Sequence, residues 1–338
     1  MKSRQWKFHE YGGPEVLRLE TAELKPLAAD RVRVRVKAMG LNRSDLLWLS
    51  AGFFKPTLPS RFGSEIFGIV EAVGANATRF NPGQRVSNLP IVYDDSYCNF
   101  GDHADIPVTA LIETPERLSD AEGAAFTYTH LTQMLGLSEL GNLKAGQVLL
   151  ITAASSANGL SAIAIGRLLN AEVIAVTRSS AKRDMLLQAG AHHVIASNEE
   201  SVSARVAGIT NGQGVNLAWD CVGGALTNEI VQSMATEGKW IMYGFLDPSP
   251  ATTHWASWFY RQISFHIFSM TQYTGNAFLN MLGRPNEFKR ARDAVISLCA
   301  SGELNIPIAK VFDGIEQVPD ALRLMEGNDG GGKIVILA

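Results

Sequence analysis

One segment, residues 148–182, constrains the fold of this chain more than any other feature. Residues 148–152, Val-Leu-Leu-Ile-Thr, predict a buried strand, and residues 171–177 predict a second one. Between them, small residues at 153–159 lead into an apolar run with helical spacing at 160–169. This is a βαβ unit with a small-residue turn, the geometry that places a dinucleotide pyrophosphate at a helix N-terminus.

The turn departs from the usual glycine pattern of such units. Of the three glycines in G-x-G-x-x-G, only Gly159 is present, and Ser156 and Ala157 take the earlier positions. Both residues are small enough for backbone contact with a ligand, and Ser155 and Ser156 add hydroxyl donors. Taken by itself, the turn fits an ordinary strand-to-helix connection equally well.

The end of the second strand indicates which dinucleotide binds. Dinucleotide sites for NAD place an acidic residue about 20 residues beyond the glycine loop, where it holds the ribose 2′-OH. This chain has Arg178 there, with Ser179 and Ser180 next and Lys182 close behind. Two cations and two hydroxyls suit a 2′-phosphate, so the sequence predicts NADPH. The alternative is a solvated strand end.

Strand and helix signals alternate along the middle of the chain and predict a doubly wound parallel sheet over residues 123–269. The first third is β-rich, as in the strict alternation of residues 31–37. The terminal strand at 333–337 is expected to return to this first part, which gives a catalytic domain of residues 1–122 and 270–338. The six strands predicted in the middle part are residues 148–152, 173–177, 193–195, 216–220, 240–243 and 263–268.

Composition excludes several classes of protein. The 338 residues are 46% hydrophobic and 19% charged, which is typical of a soluble protein with an ample core. The net charge of −3 and the lack of a basic patch predict no nucleic-acid partner. We expect no membrane span and no signal peptide. Cys98, Cys221 and Cys299 are far apart, without metal spacing, and fit buried thiols in a reducing cytoplasm.

Several short motifs follow one another along nearly the whole chain, at residues 11–17, 42–45, 63–65, 82–86, 190–195, 220–223, 244 and 332–335. In this order they resemble the medium-chain dehydrogenase/reductases, specifically their zinc-free, quinone oxidoreductase-like branch. The resemblance implies a GroES-like catalytic domain with an inserted Rossmann domain, and hydride transfer from NADPH to a quinone or a conjugated carbonyl.

The resemblance also bears on metal binding. Zinc-using relatives take ligands from a Cys, a His-Glu pair and a second Cys or acidic residue. The matching positions here hold Asn42, Ser64 with Glu65, and Thr129. Zinc needs about three protein ligands, so we predict no metal site and interpret Glu65 as a structural carboxylate, paired with a cation.

The same resemblance suggests which residues contact the cofactor. Asn42 matches a residue near the nicotinamide ribose and the substrate, although it could equally cap a helix that starts at Ser44. Thr129 and Thr132 lie on a helix expected to face the nicotinamide, and helix packing is the alternative. The predicted cofactor-binding set is Asn42, Thr129, Thr132, Ser155, Ser156, Ala157, Arg178, Lys182, Gly244, Phe245 and Lys333.

We therefore predict a cytoplasmic NADPH-dependent reductase of quinones or α,β-unsaturated carbonyls. No catalytic residue is predicted, because no His–Asp or Tyr–Lys pair is evident as a proton donor, and water or a cofactor ribose hydroxyl is the default. The alternatives are a zinc-independent alcohol or ketone reductase and a non-enzymatic NADPH-binding protein.

An aromatic segment at residues 255–268 is the remaining feature. It fits either a plain core or an interface and channel wall. We predict a homodimer in which the strand at residues 263–268 pairs with its counterpart, because an open apolar edge strand is an aggregation hazard.

Overall fold

The computed structural model describes residues 1–52, 55–90, 99–276, 280–327 and 331–338. Its contacts divide the chain into two compact units. The first unit comprises Met1–Thr129, Thr274–Arg284 and Arg292–Ala338, and the second comprises His130–Tyr273 and Pro285–Ala291. The domain limits drawn from the sequence stay a prediction. Cys98 lies outside the described residues.

The first unit is built on two sheets. Its strands are β1 Lys2–Phe8, β2 Leu17–Glu23, β3 Arg31–Gly40, β4 Ser60–Arg61, β5 Glu65–Val73, β6 Arg85–Asn88, β7 His103–Pro107, β8 Leu111–Glu113, β15 Ile308–Asp313 and β16 Lys333–Leu337. One sheet has three strands in the order β2-β1-β4. The other has the order β15-β16-β3-β5-β6-β8, with β7 also paired to β3.

Strand β3 organises the larger sheet. Its alternating sequence buries Val32, Val34 and Val36 in the core, as predicted, while the arginines between them lie on the other face. The predicted return of the terminal strand is confirmed, because β16 pairs antiparallel with β3. It also pairs in parallel with β15, a nearby partner that the sequence did not suggest.

The second unit contains one six-stranded sheet in which every pairing is parallel. The order β11-β10-β9-β12-β13-β14 is that of a Rossmann fold. All six strands predicted from the sequence are present, so the predicted α/β fold class is confirmed. They are β9 Val148–Ile151, β10 Glu172–Thr177, β11 His193–Ala196, β12 Val215–Asp220, β13 Met234–Met242 and β14 Ser264–Ile267.

Helices connect and cover these sheets. The helical region at residues 120–140 is interrupted: α2 ends at Gly123, α3 begins at Thr127, and Leu135–Leu140 forms a π-helical turn. Among the helices of the described residues, none is long and apolar enough to cross a membrane. The helices are α1 Arg43–Leu49, α2 Asp120–Gly123, α3 Thr127–Met134, α4 Ala157–Leu168, α5 Arg183–Gln188, α6 Val202–Ile209, α7 Thr227–Ser233, α8 Trp255–Arg261, α9 Thr271–Thr274, α10 Pro285–Ser301 and α11 Val318–Glu326.

The aromatic segment at residues 255–268 divides between core and surface. Phe268 is buried, and Trp258 packs against Trp240 and Phe265. The other aromatic side chains of α8 point outward: Trp255, Phe259 and Tyr260 are 80%, 79% and 78% exposed. The core interpretation therefore applies to Phe268 and Trp258, and the interface and channel interpretation of the exposed residues stays a prediction.

Candidate functional site

The predicted βαβ turn has the close packing that a dinucleotide loop requires. A Cβ atom on Gly159 would lie 2.4 Å from the Ala154 carbonyl oxygen, so only glycine fits at this position. Ser156 is the N-cap of α4, and its hydroxyl accepts the Gly159 N–H at 3.1 Å. Ser155, Ser156 and Ala157 thus lie at the N-terminus of a twelve-residue helix, where backbone N–H groups favour an anion.

A buried hydrogen bond joins the carboxyl ends of β9 and β12, the neighbouring strands at which the strand order reverses. Thr152 Oγ1 donates to Asp220 Oδ1 at 2.6 Å. The same carboxylate accepts from the backbone of Val222 and Gly223 and from Trp240. Ligands of open α/β sheets bind at this point, so this hydrogen bond holds together the two strand ends that border the candidate site. Burial raises the pKa of Asp220.

Two further predicted positions lie at the same carboxyl edge of this sheet. Gly244 and Phe245 follow β13, and Phe245 is exposed. A Cβ on Gly244 would lie 3.1 Å from the Cys221 side chain, so the backbone here approaches the end of β12 closely. Burial raises the pKa of the Cys221 thiol to about 12, which makes it a structural and unreactive cysteine.

Arg178 and Lys182 occupy the turn after β10, as predicted. Arg178 is exposed and Lys182 is half-buried. Within the described ranges, neither side chain has an ion-pair partner at 4.0 Å or less. Both charges therefore remain available to a phosphate group.

The first unit contains a buried ion pair. Glu65 is fully buried at the start of β5, and its Oε2 lies 2.7 Å from Lys333 Nζ at the start of β16. The other oxygen of Glu65 accepts from the Thr127 hydroxyl at 2.9 Å and from the Tyr128 N–H at 3.0 Å. The expectation that Glu65 is a structural carboxylate paired with a cation is confirmed, and the cation is Lys333.

Asn42 belongs to the same network. Its Oδ1 accepts from Lys333 Nζ at 2.9 Å, and its Nδ2 donates to Glu65 at 3.1 Å and to Ser64 at 3.2 Å. Lys333 donates its third hydrogen bond to the Leu41 carbonyl. These bonds use all three Lys333 N–H groups and both side-chain N–H groups of Asn42, so either residue could donate to a cofactor only by giving up one of them. Their predicted cofactor role remains untested.

Asn42 is also the N-cap residue of α1, as the alternative interpretation held. Its backbone N–H donates to the Asp45 carboxylate at 2.7 Å. Asp45 is buried, and burial raises its pKa to about 6. The hydrogen bonds from this N–H and from Ser64, and the positive charge of Lys333, lower the pKa but do not cancel the effect of burial. Sequence reasoning missed this carboxylate, because an aspartate in a first helical turn usually faces water.

Thr129 and Thr132 both lie on α3. Thr129 is buried, and within the described part of the chain its hydroxyl has no hydrogen-bond partner. A buried hydroxyl of this kind is costly unless a ligand or water satisfies it. Thr132 is half-buried. Among the described residues, no group of three or more His, Cys, Asp or Glu side chains is arranged to hold a metal ion.

Two family models match the chain. Residues 28–131 match the alcohol dehydrogenase GroES-like domain, and residues 157–292 match the zinc-binding dehydrogenase domain. Some of the curated relatives are much longer proteins. Over 96% of its length, the chain is 29% identical to the mycocerosic acid synthase-like polyketide synthase of Mycolicibacterium smegmatis, of which it spans 15%.

Other similar proteins match in length. Quinone oxidoreductase-like protein 2 of Bos taurus is 27% identical, covering 94% of this chain and 88% of its own. The quinone oxidoreductase of Pseudomonas syringae pv. Tomato DC3000 is 25% identical, with a TM-score of 0.86 over 99% of this chain and 100% of its own. The Escherichia coli quinone oxidoreductase complexed with NADPH shares the fold, with 24% identity and a TM-score of 0.85 over 99% and 100%.

The Rossmann sheet and its βαβ turn have the geometry of a dinucleotide-binding domain, and both matched models describe dehydrogenase domains. The chain belongs to the medium-chain dehydrogenase/reductase family, in its quinone oxidoreductase-like branch.

Proposed function

We propose that this protein is an NADPH-dependent reductase that delivers hydride to a quinone or to the β-carbon of an α,β-unsaturated carbonyl. The observation that carries the proposal is the pair of cations, Arg178 and Lys182, at the position where the 2′-phosphate of NADPH would lie. The relatives named quinone oxidoreductases support the substrate class.

The residues of the second unit fit the parts of NADPH in order. The N-terminus of α4, with Ser155, Ser156 and Ala157, would hold the pyrophosphate. Arg178 and Lys182 would hold the 2′-phosphate by charge-assisted hydrogen bonds. Gly244 and Phe245, at the carboxyl edge of the sheet, would lie beside the nicotinamide half. When bound, the cofactor supplies the hydride, and the protein positions it and excludes water.

In the first unit, the network around Glu65 supports chemistry without a metal. Each oxygen of Glu65 already accepts two hydrogen bonds, and Lys333 neutralises its charge. The positions that match zinc ligands in relatives hold Asn42, Ser64 and Thr129, which are neutral and poor zinc ligands. We therefore assign Glu65, Lys333 and Asn42 a positioning role. Among the predicted site residues of the first unit that the structure describes, Thr129 has a hydroxyl without a partner, which could donate a hydrogen bond to a ligand.

Proton delivery then needs no acidic side chain. Hydride addition to a quinone or enone produces a delocalised oxyanion, which water or a cofactor ribose hydroxyl can protonate. This distinguishes the proposed reaction from alcohol oxidation, in which a base or a metal must first remove the hydroxyl proton.

The direct test is NADPH oxidation at neutral pH with a small quinone, an enone, an enoyl thioester and an aldehyde, together with metal analysis of the purified protein. We expect turnover of the quinone or of a conjugated carbonyl, and less than stoichiometric zinc. Absence of turnover with all four acceptors would favour the non-enzymatic NADPH-binding alternative. Stoichiometric zinc, with loss of activity on chelation, would overturn the metal-free assignment.

A further inference from the structure

A carboxylate lies at the same turn as the two cations. Glu199 follows β11, which pairs in parallel with β10, so the loops after these strands are neighbours. The Asn198 N–H donates to the Arg178 carbonyl oxygen at 3.1 Å, which ties the two loops together. Glu199 then reaches across and accepts the Ser180 N–H at 2.8 Å.

The charge of Glu199 is exposed and present at neutral pH. Its hydrogen bonds with Ser180, the backbone N–H first among them, hold the pKa of Glu199 below its usual range. The next residue, Glu200, forms ion pairs with Arg183 at 3.2 Å and Arg205 at 2.9 Å. For Glu199, the described residues provide no ion-pair partner at 4.0 Å or less. A full negative charge therefore remains between the two strand ends.

This arrangement combines features of both kinds of dinucleotide site. Arg178 and Lys182 attract a 2′-phosphate, whereas a carboxylate repels it and accepts a hydrogen bond from a free 2′-hydroxyl. Since the Ser180 N–H already bonds to Glu199, it is not free to bond to a phosphate oxygen. The turn therefore favours NADPH less than its cations alone would.

We propose that Glu199 is a specificity-determining residue that limits the preference for NADPH and allows NADH to bind. This inference rests on the proposed cofactor site, and it adds a residue from the loop after β11, outside the βαβ unit that the sequence pattern marks. Its removal should shift selectivity without any change at Arg178 or Lys182.

The test is Glu199→Gln, which removes the charge but keeps an oxygen that can accept the Ser180 N–H. Binding of NADPH and NADH is measured by titration, together with 2′,5′-ADP and 5′-ADP, which differ only in the 2′-phosphate. We expect about three- to tenfold tighter binding of NADPH and 2′,5′-ADP, since the variant removes one charge that repels the phosphate. NADH should bind equally or a few-fold more weakly, and the gain for NADPH should shrink at high salt.

The matched control is Glu237→Gln, an exposed carboxylate of the same unit on β13, which should leave both affinities unchanged. Thermal unfolding of both variants shows whether the fold is intact. If Glu199→Ala is also made and unfolds, Glu199→Gln still decides the question.

The outcomes separate the two proposals. A wild-type protein that binds neither dinucleotide overturns the proposed cofactor and this inference with it. A wild-type protein that binds NADPH, with an NADPH-to-NADH affinity ratio that changes less than twofold in Glu199→Gln, leaves the proposed function standing and overturns the role of Glu199.

Discussion

At the residue scale, the two cations after β10 carry the proposal for the cofactor. Neither lies in the core, so their effect on folding should be small and their effect on binding large. The sequence identified them because their position relative to the βαβ turn is fixed by the length of one helix and one strand.

Replacement of Arg178 by alanine should weaken NADPH binding selectively. The loss of one charge-assisted contact with the 2′-phosphate costs about 1.5–3 kcal/mol, which is about 10- to 150-fold in affinity. NADH lacks this phosphate, so its Michaelis constant should stay nearly unchanged. Steady-state kinetics with both cofactors checks this, and equal losses for the two would rule out the assignment.

Asp45 should make stability depend on pH. Burial raises the pKa of Asp45 to about 6, above the usual value near 4 in an unfolded chain. Between these values the folded state binds a proton that the unfolded state has released. The contribution of Asp45 to stability is therefore greatest below about pH 4 and is lost as the pH rises through about 6, by about 3 kcal/mol in total.

The variant Asp45→Asn removes this titration and keeps an acceptor for the Asn42 N–H. Relative to wild type, it should gain about 2–3 kcal/mol in unfolding free energy on going from pH 4 to pH 7.5, measured by denaturant titration. Asp313→Asn, at an exposed aspartate, is the control. Equal pH dependence of wild type and Asp45→Asn would refute the assignment.

At the scale of elements, β14 is an edge. It pairs with β13 on one side, and within the described chain no strand pairs with its other side. Ile267 on β14 is exposed, as are Trp255, Phe259 and Tyr260 on α8. Exposed apolar edges of this kind attract another strand, and the simplest partner is the same edge of a second copy.

We therefore predict a homodimer in solution, joined through β14 and α8. Sedimentation should give twice the chain mass of 36.6 kDa at micromolar concentration. Ile267→Lys should weaken dimerisation at least tenfold, because it would place a charge in the contact between the two β14 edges. Leu187→Lys, at an exposed residue of α5, should leave dimerisation unchanged. A wild-type monomer at this concentration would contradict the prediction.

At the scale of the whole molecule, the two units carry different features. The second unit has the fold and the cations for a nicotinamide cofactor, and the first has a buried network whose carboxylate is neutralised. Neither unit shows a general base among its predicted site residues, so a reaction that must remove a hydroxyl proton is disfavoured.

Reduction of an enone or quinone should accordingly exceed alcohol oxidation by a wide margin. The comparison is turnover of NADPH with a small quinone and an enone against turnover of NADP⁺ with primary and secondary alcohols. An alcohol rate as fast as the enone rate at neutral pH would reveal a base and favour the alcohol or ketone reductase alternative.

The parallel sheet could be predicted from the sequence, and so could the carboxyl edge at which we propose that the cofactor binds. Strand and helix periods, the small residues before Gly159 and the position of Arg178 are all local patterns, and local sterics govern them. The partner of Glu65 could be anticipated only as a cation of unknown identity, since a buried carboxylate needs one.

The tertiary structure decided which distant residues meet. Lys333 reaches Glu65 because β16 returns to β3, and Glu199 reaches Ser180 because β11 lies beside β10. Neither contact leaves a signal in sequence spacing, because strand order is set by the packing of whole elements. The shifted pKa of Asp45 has the same origin: desolvation depends on what covers a side chain, and only the folded chain provides that cover.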